Sequence, residues 1–306
     1  MQSWKQGILL GVMFLDAALP AAAQPGSRLL TRDHLSQVSA HTWTITGSPN
    51  VGIVVGTHGT LVIDNGLGTR NGKSVSDIAM SLSPKGNKVY LTTTHYHAEH
   101  ATGDGGFPPG TVLVRPRVQQ VELEAEGQKL IDLFSSRSEE DHALLQDYRY
   151  LKPDVLFDSD YRLDLGGVSV RIAWFGAAHT KGDELIMVEP DSVLFSGDVV
   201  QNKTGPFFYC ADCTPKSWLA VLDKVAALNP KIVVPDHSPV GDGSLITQER
   251  AFMADLQRRA MALKAQGVSG ADAGKTIAAE LQTKYAGWSS MARIPQAVEK
   301  AYSDPS

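Results

Sequence analysis

Apolar residues recur along this chain at two periods, one near two and one near three and a half. Trp43 and Ile45 alternate with threonines over 42–46 and read as a strand. Residues 51–55 and 60–64 read as two more, joined by the hairpin turn Thr57-His58-Gly59, where His58 is a solvated turn residue. Val75, Ile78, Ala79 and Leu82 follow at helical spacing within 70–83, as on a helix packed against a sheet. The β-branched run 88–93 reads as a buried strand, and 111–114 as a short strand after a glycine and proline loop. Residues 117–150 are polar and helical in character, with Val121, Leu130, Leu133, Phe134, Leu144 and Leu145 as anchors and His142 solvated. Strands are expected at 155–157, 161–163, 168–172, 185–188, 192–195 and 231–235. Between the last two, Trp218, Val221, Leu222, Val225 and Leu228 mark a helix stopped by Asn229-Pro230. Two more helices are expected, one at 246–264 with Phe252, Leu256 and Leu263 on one face, one from Gly270 with Ile277 and Leu281. Residues 24–40 read as an exposed lead-in, and His34 and His41 have no motif context.

The chain has 306 residues, 42% apolar and 20% charged, which suits one large globular domain or two small ones. Its formal charge is −5 and no lysine or arginine block stands out, so it lacks the electrostatic footprint of a nucleic-acid binder. Lys5, the apolar run 8–15 and Ala21-Ala22-Ala23 form a positive region, a short apolar core and a small-residue cleavage site. Residues 1–23 therefore read as a secretory signal, leaving 24–306 as one mature domain, periplasmic or secreted. Asp16 is an awkward residue for such a signal, and an uncleaved anchor is the alternative. The run is too short for a stable bilayer-spanning helix, and no later segment is long and apolar enough. The two cysteines, Cys210 and Cys213, have C-x-x-C spacing. In a reducing cytosol that suggests redox or metal chemistry; in an exported chain it reads as a local disulfide. A loop that short gains little from chain entropy, so its effect would be rigidity of 206–215.

The densest chemistry lies in Thr94-His95-Tyr96-His97-Ala98-Glu99-His100, three imidazoles and a carboxylate within six residues at the end of the 88–93 strand. Neutral imidazole nitrogen and carboxylate oxygen are the usual zinc ligands of catalytic sites. From an extended strand end, His95 and His97 could aim both rings the same way. A lone histidine is usually a surface or hydrogen-bonded residue, but four ligand types at this density point to metal.

This HxHxEH pattern resembles the HxHxDH metal motif of the metallo-β-lactamase superfamily, with Glu99 in place of the usual Asp. Further landmarks appear in family order. Asp64 ends the 60–64 strand, where the family has an acid supporting the ligands; a plain Asx turn is the alternative. Gly176 to Asp183 resembles the HTxGD loop that supplies His179, with Asp183 tethering the loop. Asp198 in Ser196-Gly197-Asp198 matches the bridging aspartate, and His237 follows Pro235-Asp236 where the family has Pro-Gly. The resemblance implies an α/β fold, a four-layer αββα sandwich. It implies two zinc ions: one held by His95, His97 and His179, one by Glu99, His100 and His237, with Asp198 between them. The second ion would sit displaced or bind more weakly, because Glu99 is one methylene longer than Asp. Asp236 would add either strain or a hydrogen bond beside His237.

The implied activity is two-metal hydrolysis by a bridging hydroxide, since bound water can lose its proton near pH 7. Glu99 and Asp198 would be the catalytic acids. The bond cut would be a carbonyl-type one in a small molecule: ester, lactone, thioester or β-lactam. Asp198 argues against a β-lactamase proper, whereas export argues for one. An iron-dependent oxidoreductase of the persulfide dioxygenase kind is the alternative from another class. Pro206-Phe207-Phe208-Tyr209 would be an apolar wall over the metals or simply local packing.

Overall fold

The computed structural model describes residues 28–304, so the expected secretory signal lies outside the described residues. Two sheets stack face to face with helices on both outer faces. The first sheet contains β1 (Leu35–Gln37), β2 (Thr42–Ile45), β3 (Val51–Val55), β4 (Gly59–Ile63), β5 (Lys88–Thr92), β6 (Val112–Pro116) and β7 (Val155–Phe157), paired in that order. The second runs β13-β12-β11-β10-β9-β8, from β8 (Asp160–Asp164), β9 (Ser169–Trp174), β10 (Glu184–Glu189), β11 (Val193–Gly197), β12 (Ile232–Pro235) and β13 (Gly241–Asp242). Chain connections decide the pairing sense. The hairpin-linked β3 and β4 are antiparallel, while β4 and β5 are parallel because α1 (Gly68–Leu82) crosses between them.

Strand alternation sorts side chains into layers. Leu61 and Ile63 of β4 face the second sheet and pack with Ile172, Ile186, Phe195 and Val234. Val62 between them points the other way, onto Val75, Ile78 and Ala79 of α1. On the far face, Leu194 and Val233 pack under α5 (Pro215–Ala226), α6 (Ser244–Ala265), α7 (Gly270–Lys284) and α8 (Ile294–Ser303). The result is the expected four-layer αββα sandwich.

Two expectations need correction. The segment before β2 is mostly exposed, as expected, but it is not without structure: Leu30 is buried on α1, and β1 pairs with β2. Its polar composition hides one apolar anchor and an edge strand that needs only backbone pairing. Val121 and Leu133 are exposed rather than anchoring α3 (Arg117–Ser135), while Leu130, Phe134, Leu144 and Leu145 are buried. The short α4 (Glu139–Leu145) covers one side of α3 only, so helical residues on the other side stay in solvent.

Candidate metal centre

The candidate ligands come from loops at one end of the two sheets. β5 stops at Thr92, so His95 and His97 are carried by a bend and not by strand alternation. The bend is set by Asp64, whose Oδ1 accepts the Thr94 N–H at 2.7 Å. His97 then caps α2 (Ala98–Ala101), a single turn that carries Glu99 and His100.

Three imidazole nitrogens converge on one point. His95 Nε2 lies 2.9 Å from His97 Nδ1, which lies 3.4 Å from His179 Nε2. Burial lowers all three rings below the ordinary histidine pKa, so they are neutral. Neutral imidazole nitrogens gathered this closely could turn their lone pairs onto one cation. The other nitrogen of His179 is engaged: Nδ1 lies 2.7 Å from the Phe207 carbonyl, which fixes its proton there and leaves Nε2 as the donor atom. Asp183 holds this loop as expected, accepting the backbone N–H groups of His179 and Thr180 and the Thr180 hydroxyl.

A second group lies alongside. One atom each from Glu99, His100 and His237 fall within 4.8 Å of one another. Glu99 Oε2 and His100 Nε2 are buried with no hydrogen-bond partner among the described residues, which is costly unless something else engages them. His100 Nδ1 is held at 3.0 Å by Asp64 Oδ2, the supporting position expected for Asp64. Burial opposes a charge on His100, but Asp64 and then Asp236 overcome it and raise its pKa to about 10. Asp198 faces both groups, with Oδ2 3.3 Å from His179 Nε2 and Oδ1 3.7 Å from His237 Nε2. Burial would raise its pKa, yet His237 and His179 hold it below the ordinary carboxylate range. Gly197 makes this approach feasible: its φ is +57°, and a Cβ there would lie 3.1 Å from Thr94 Cβ.

The question left by Asp236 resolves as a hydrogen bond. Its Oδ2 accepts the Thr94 hydroxyl at 2.8 Å and lies 3.4 Å from His100 Nδ1. Burial and the neighbouring Asp64 push its pKa well up. With His95 and His100 it makes a further group that could hold a cation. Cys210 and Cys213 form a disulfide just beyond Tyr209. Both readings of 206–209 hold in part: Pro206, Phe207 and Tyr209 line the site, with the Tyr209 ring 4.1 Å from His97 and 5.2 Å from His179, while Phe208 packs on Trp218 in the core. His58 and His142 are exposed, whereas His41 is paired with Asp191 at 2.7 Å, away from the ligands.

Several residues around the site carry no sequence signal. Gln201 donates to Asp198 Oδ1 and accepts from Ser238. Glu249 of α6 lines the same cavity of about 270 Å³, as do Arg137 and Arg293.

A model of the metallo-beta-lactamase superfamily matches residues 44–237. The chain belongs to the metallo-beta-lactamase superfamily. Its fold resembles a metallo-beta-lactamase from Pontibacter korlensis at 20% identity, TM-score 0.57, over 72% of this chain and 98% of that one. It also resembles the inverting sec-alkylsulfatase Pisa1 from Pseudomonas sp. at 17% identity, TM-score 0.68. That match covers 88% of this chain and half of the sulfatase. The metallo-beta-lactamase DIM-1 matches at 14% identity, TM-score 0.56, over 72% of this chain and 96% of that one. No curated protein sequence matches the chain.

Proposed function

We propose that this protein is an exported, zinc-dependent hydrolase that cleaves an ester, lactone, thioester or related bond in a small molecule. The observation that carries the reading is the position of Asp198, one oxygen towards His179 and the other towards His237. His95, His97 and His179 would hold one ion, and Glu99, His100 and His237 the other. The donor set of imidazoles and carboxylates suits zinc, and the unpartnered Glu99 and His100 atoms fit such a role. Divalent ions held there would supply a water acidic enough to attack near neutral pH and a Lewis acid for the oxygen that gains charge.

The chain's own residues do the rest. Asp64 orients the His100 ring, and the Phe207 carbonyl orients His179. Gln201 steadies Asp198. The Tyr209 ring packs edge-on against His97 and would limit water on that side. Glu99 lines the cavity and, besides holding metal, would relay a proton. The Cys210–Cys213 disulfide supports an oxidising compartment and hence export.

A β-lactamase proper is the second reading, favoured by the fold shared with the Pontibacter and DIM-1 enzymes. Sulfate-ester cleavage gains support from the longer match to the sec-alkylsulfatase. The deciding experiment assays the chain from Gln24 on a chromogenic cephalosporin, an aryl ester, a lactone and an alkyl sulfate, each with and without chelator. Chelator-sensitive turnover of any of them supports the hydrolase. No turnover by protein loaded with two zinc equivalents overturns it, and a single bound iron would favour the oxidoreductase alternative.

A further inference from the structure

β5 and β6 are parallel neighbours, so both finish at the end of the sheet where the ligand loops gather. α3 begins directly after β6, with Arg117 following Pro116. Its first turn therefore lies beside Thr93, two residues before His95. Gln119 of that turn is fully buried. Its Nε2 donates to the Thr93 carbonyl at 2.9 Å and to the Gly182 carbonyl at 3.1 Å. Its Oε1 accepts the Thr93 hydroxyl at 2.8 Å. Both amide donors are thus used, and the two carbonyls fix which way the amide points. Thr93 leads into the loop of His95 and His97, and Gly182 closes the loop of His179. The approach is close: a Cβ on Gly182 would lie 2.5 Å from Gln119 Cα, so a side chain there would push α3 off the loop. One turn further along α3, Glu122 Oε1 accepts the Lys181 N–H at 3.0 Å.

We propose that Gln119 is a positioning residue for the candidate metal centre: by joining the two ligand loops it sets the spacing between His97 and His179. The inference rests on the metal-binding part of the proposed function and not on hydrolysis. His97 Nδ1 and His179 Nε2 lie 3.4 Å apart across 82 residues of sequence. Each loop has an internal brace, Asp64 on Thr94 and Asp183 on His179 and Thr180. Those braces shape each loop without linking one to the other. Gln119 links them from α3. Glu184 also links them, from β10, by giving its N–H to the Thr94 carbonyl at 2.7 Å. Loss of Gln119 therefore leaves the loops together and loosens their spacing. An ion shared by three imidazoles binds less tightly as that spacing drifts, because all three nitrogens must reach bonding distance at once.

The test is cobalt(II) binding to the chain from Gln24, by chelator competition and by visible absorption, which follows the geometry around the ion. Gln119→Glu keeps the shape but turns an ionised oxygen towards the two carbonyls. Gln119→Met keeps the length and loses all three hydrogen bonds. Each should weaken the tighter cobalt equivalent about tenfold and alter its absorption, with a smaller effect on the second equivalent. Asn87→Asp is the control. Asn87 donates to the Gly56 carbonyl at 3.0 Å just before β5, at the far end from the ligands, and its change should leave cobalt binding as in the parent. Unchanged affinity and absorption in both Gln119 variants would overturn the positioning role. So would an equal loss in the Asn87 variant, or failure of both Gln119 variants to fold, which would make the residue structural only. A parent that binds no cobalt would refute the metal centre and this inference together. A parent that binds cobalt but hydrolyses nothing would refute the hydrolase and leave the role of Gln119 standing.

Discussion

The Asp64 carboxylate holds the His100 imidazole at 3.0 Å, Oδ2 to Nδ1, with neither side chain exposed. That bond fixes which nitrogen of His100 faces the candidate second ion. Asp64 sits at φ +65°, a conformation asparagine also tolerates, so Asp64→Asn removes the charge without straining the backbone. Zinc at the second position should weaken by about 10–100-fold, as read by chelator competition. Two unchanged zinc affinities would show that Asp64 is only a turn residue.

His97 Nδ1 is the middle atom of the converging imidazoles, between His95 and His179. His97→Ala should lose the tighter zinc equivalent and, with it, turnover. Metal content by elemental analysis and the rate on the best aryl ester check this together. Full activity in metal-free buffer would sink the two-metal reading.

Glu249 tests the cost of a buried acid. Burial raises its pKa from 4.5 to about 8, so the folded state binds this proton more tightly than the unfolded chain. Between those values the folded state holds more protons, and its contribution to stability falls as pH rises from about 4.5 to about 8. Glu249→Gln keeps the shape and removes that penalty. In metal-free protein the variant should gain thermal stability over the parent at pH 8 and gain little or nothing at pH 4.5. An equal gain at both pH values would place the effect in packing.

The Cys210–Cys213 disulfide closes a very short loop beside Tyr209, and Lys300 of α8 donates to the Cys210 carbonyl at 2.6 Å. The double change to serine should cost about 2 kcal/mol or less, since so short a loop restrains the unfolded chain little. Its larger effect should be a raised KM, because the Tyr209 wall loses its anchor. Chemical denaturation and steady-state kinetics separate the two. A loss of several kcal/mol with KM unchanged would make the bridge purely structural.

Much of this arrangement was legible in the residues themselves. The β4 strand was legible at 60–64, and the packing of Leu61 and Ile63 on one face and Val62 on the other agrees with a strand's side-chain period, which is a local property. The ligand residues were legible for a similar reason: His95, His97, Glu99 and His100 are dense in sequence, and His179, Asp198 and His237 each sit in a short landmark. Failure came where a pattern gave a face but no cover. Val121 and Leu133 lie on α3 at plausible helical positions, yet nothing packs over them.

What the chain determined by itself is most of the sheet strands and the larger helices, together with the identity of the metal-type side chains; β1 and α8 carried no readable pattern. Tertiary structure alone decided the role of Asp236, which meets Thr94 across 142 residues of sequence. It alone brought Arg137 and Arg293 to one cavity and buried Glu249 beneath it. The reason is physical. Periodicity and propensity act over one or two turns of chain, whereas hydrogen-bond partners, unpaired charges and desolvation depend on what packs opposite, and the fold brings those groups in from distant segments.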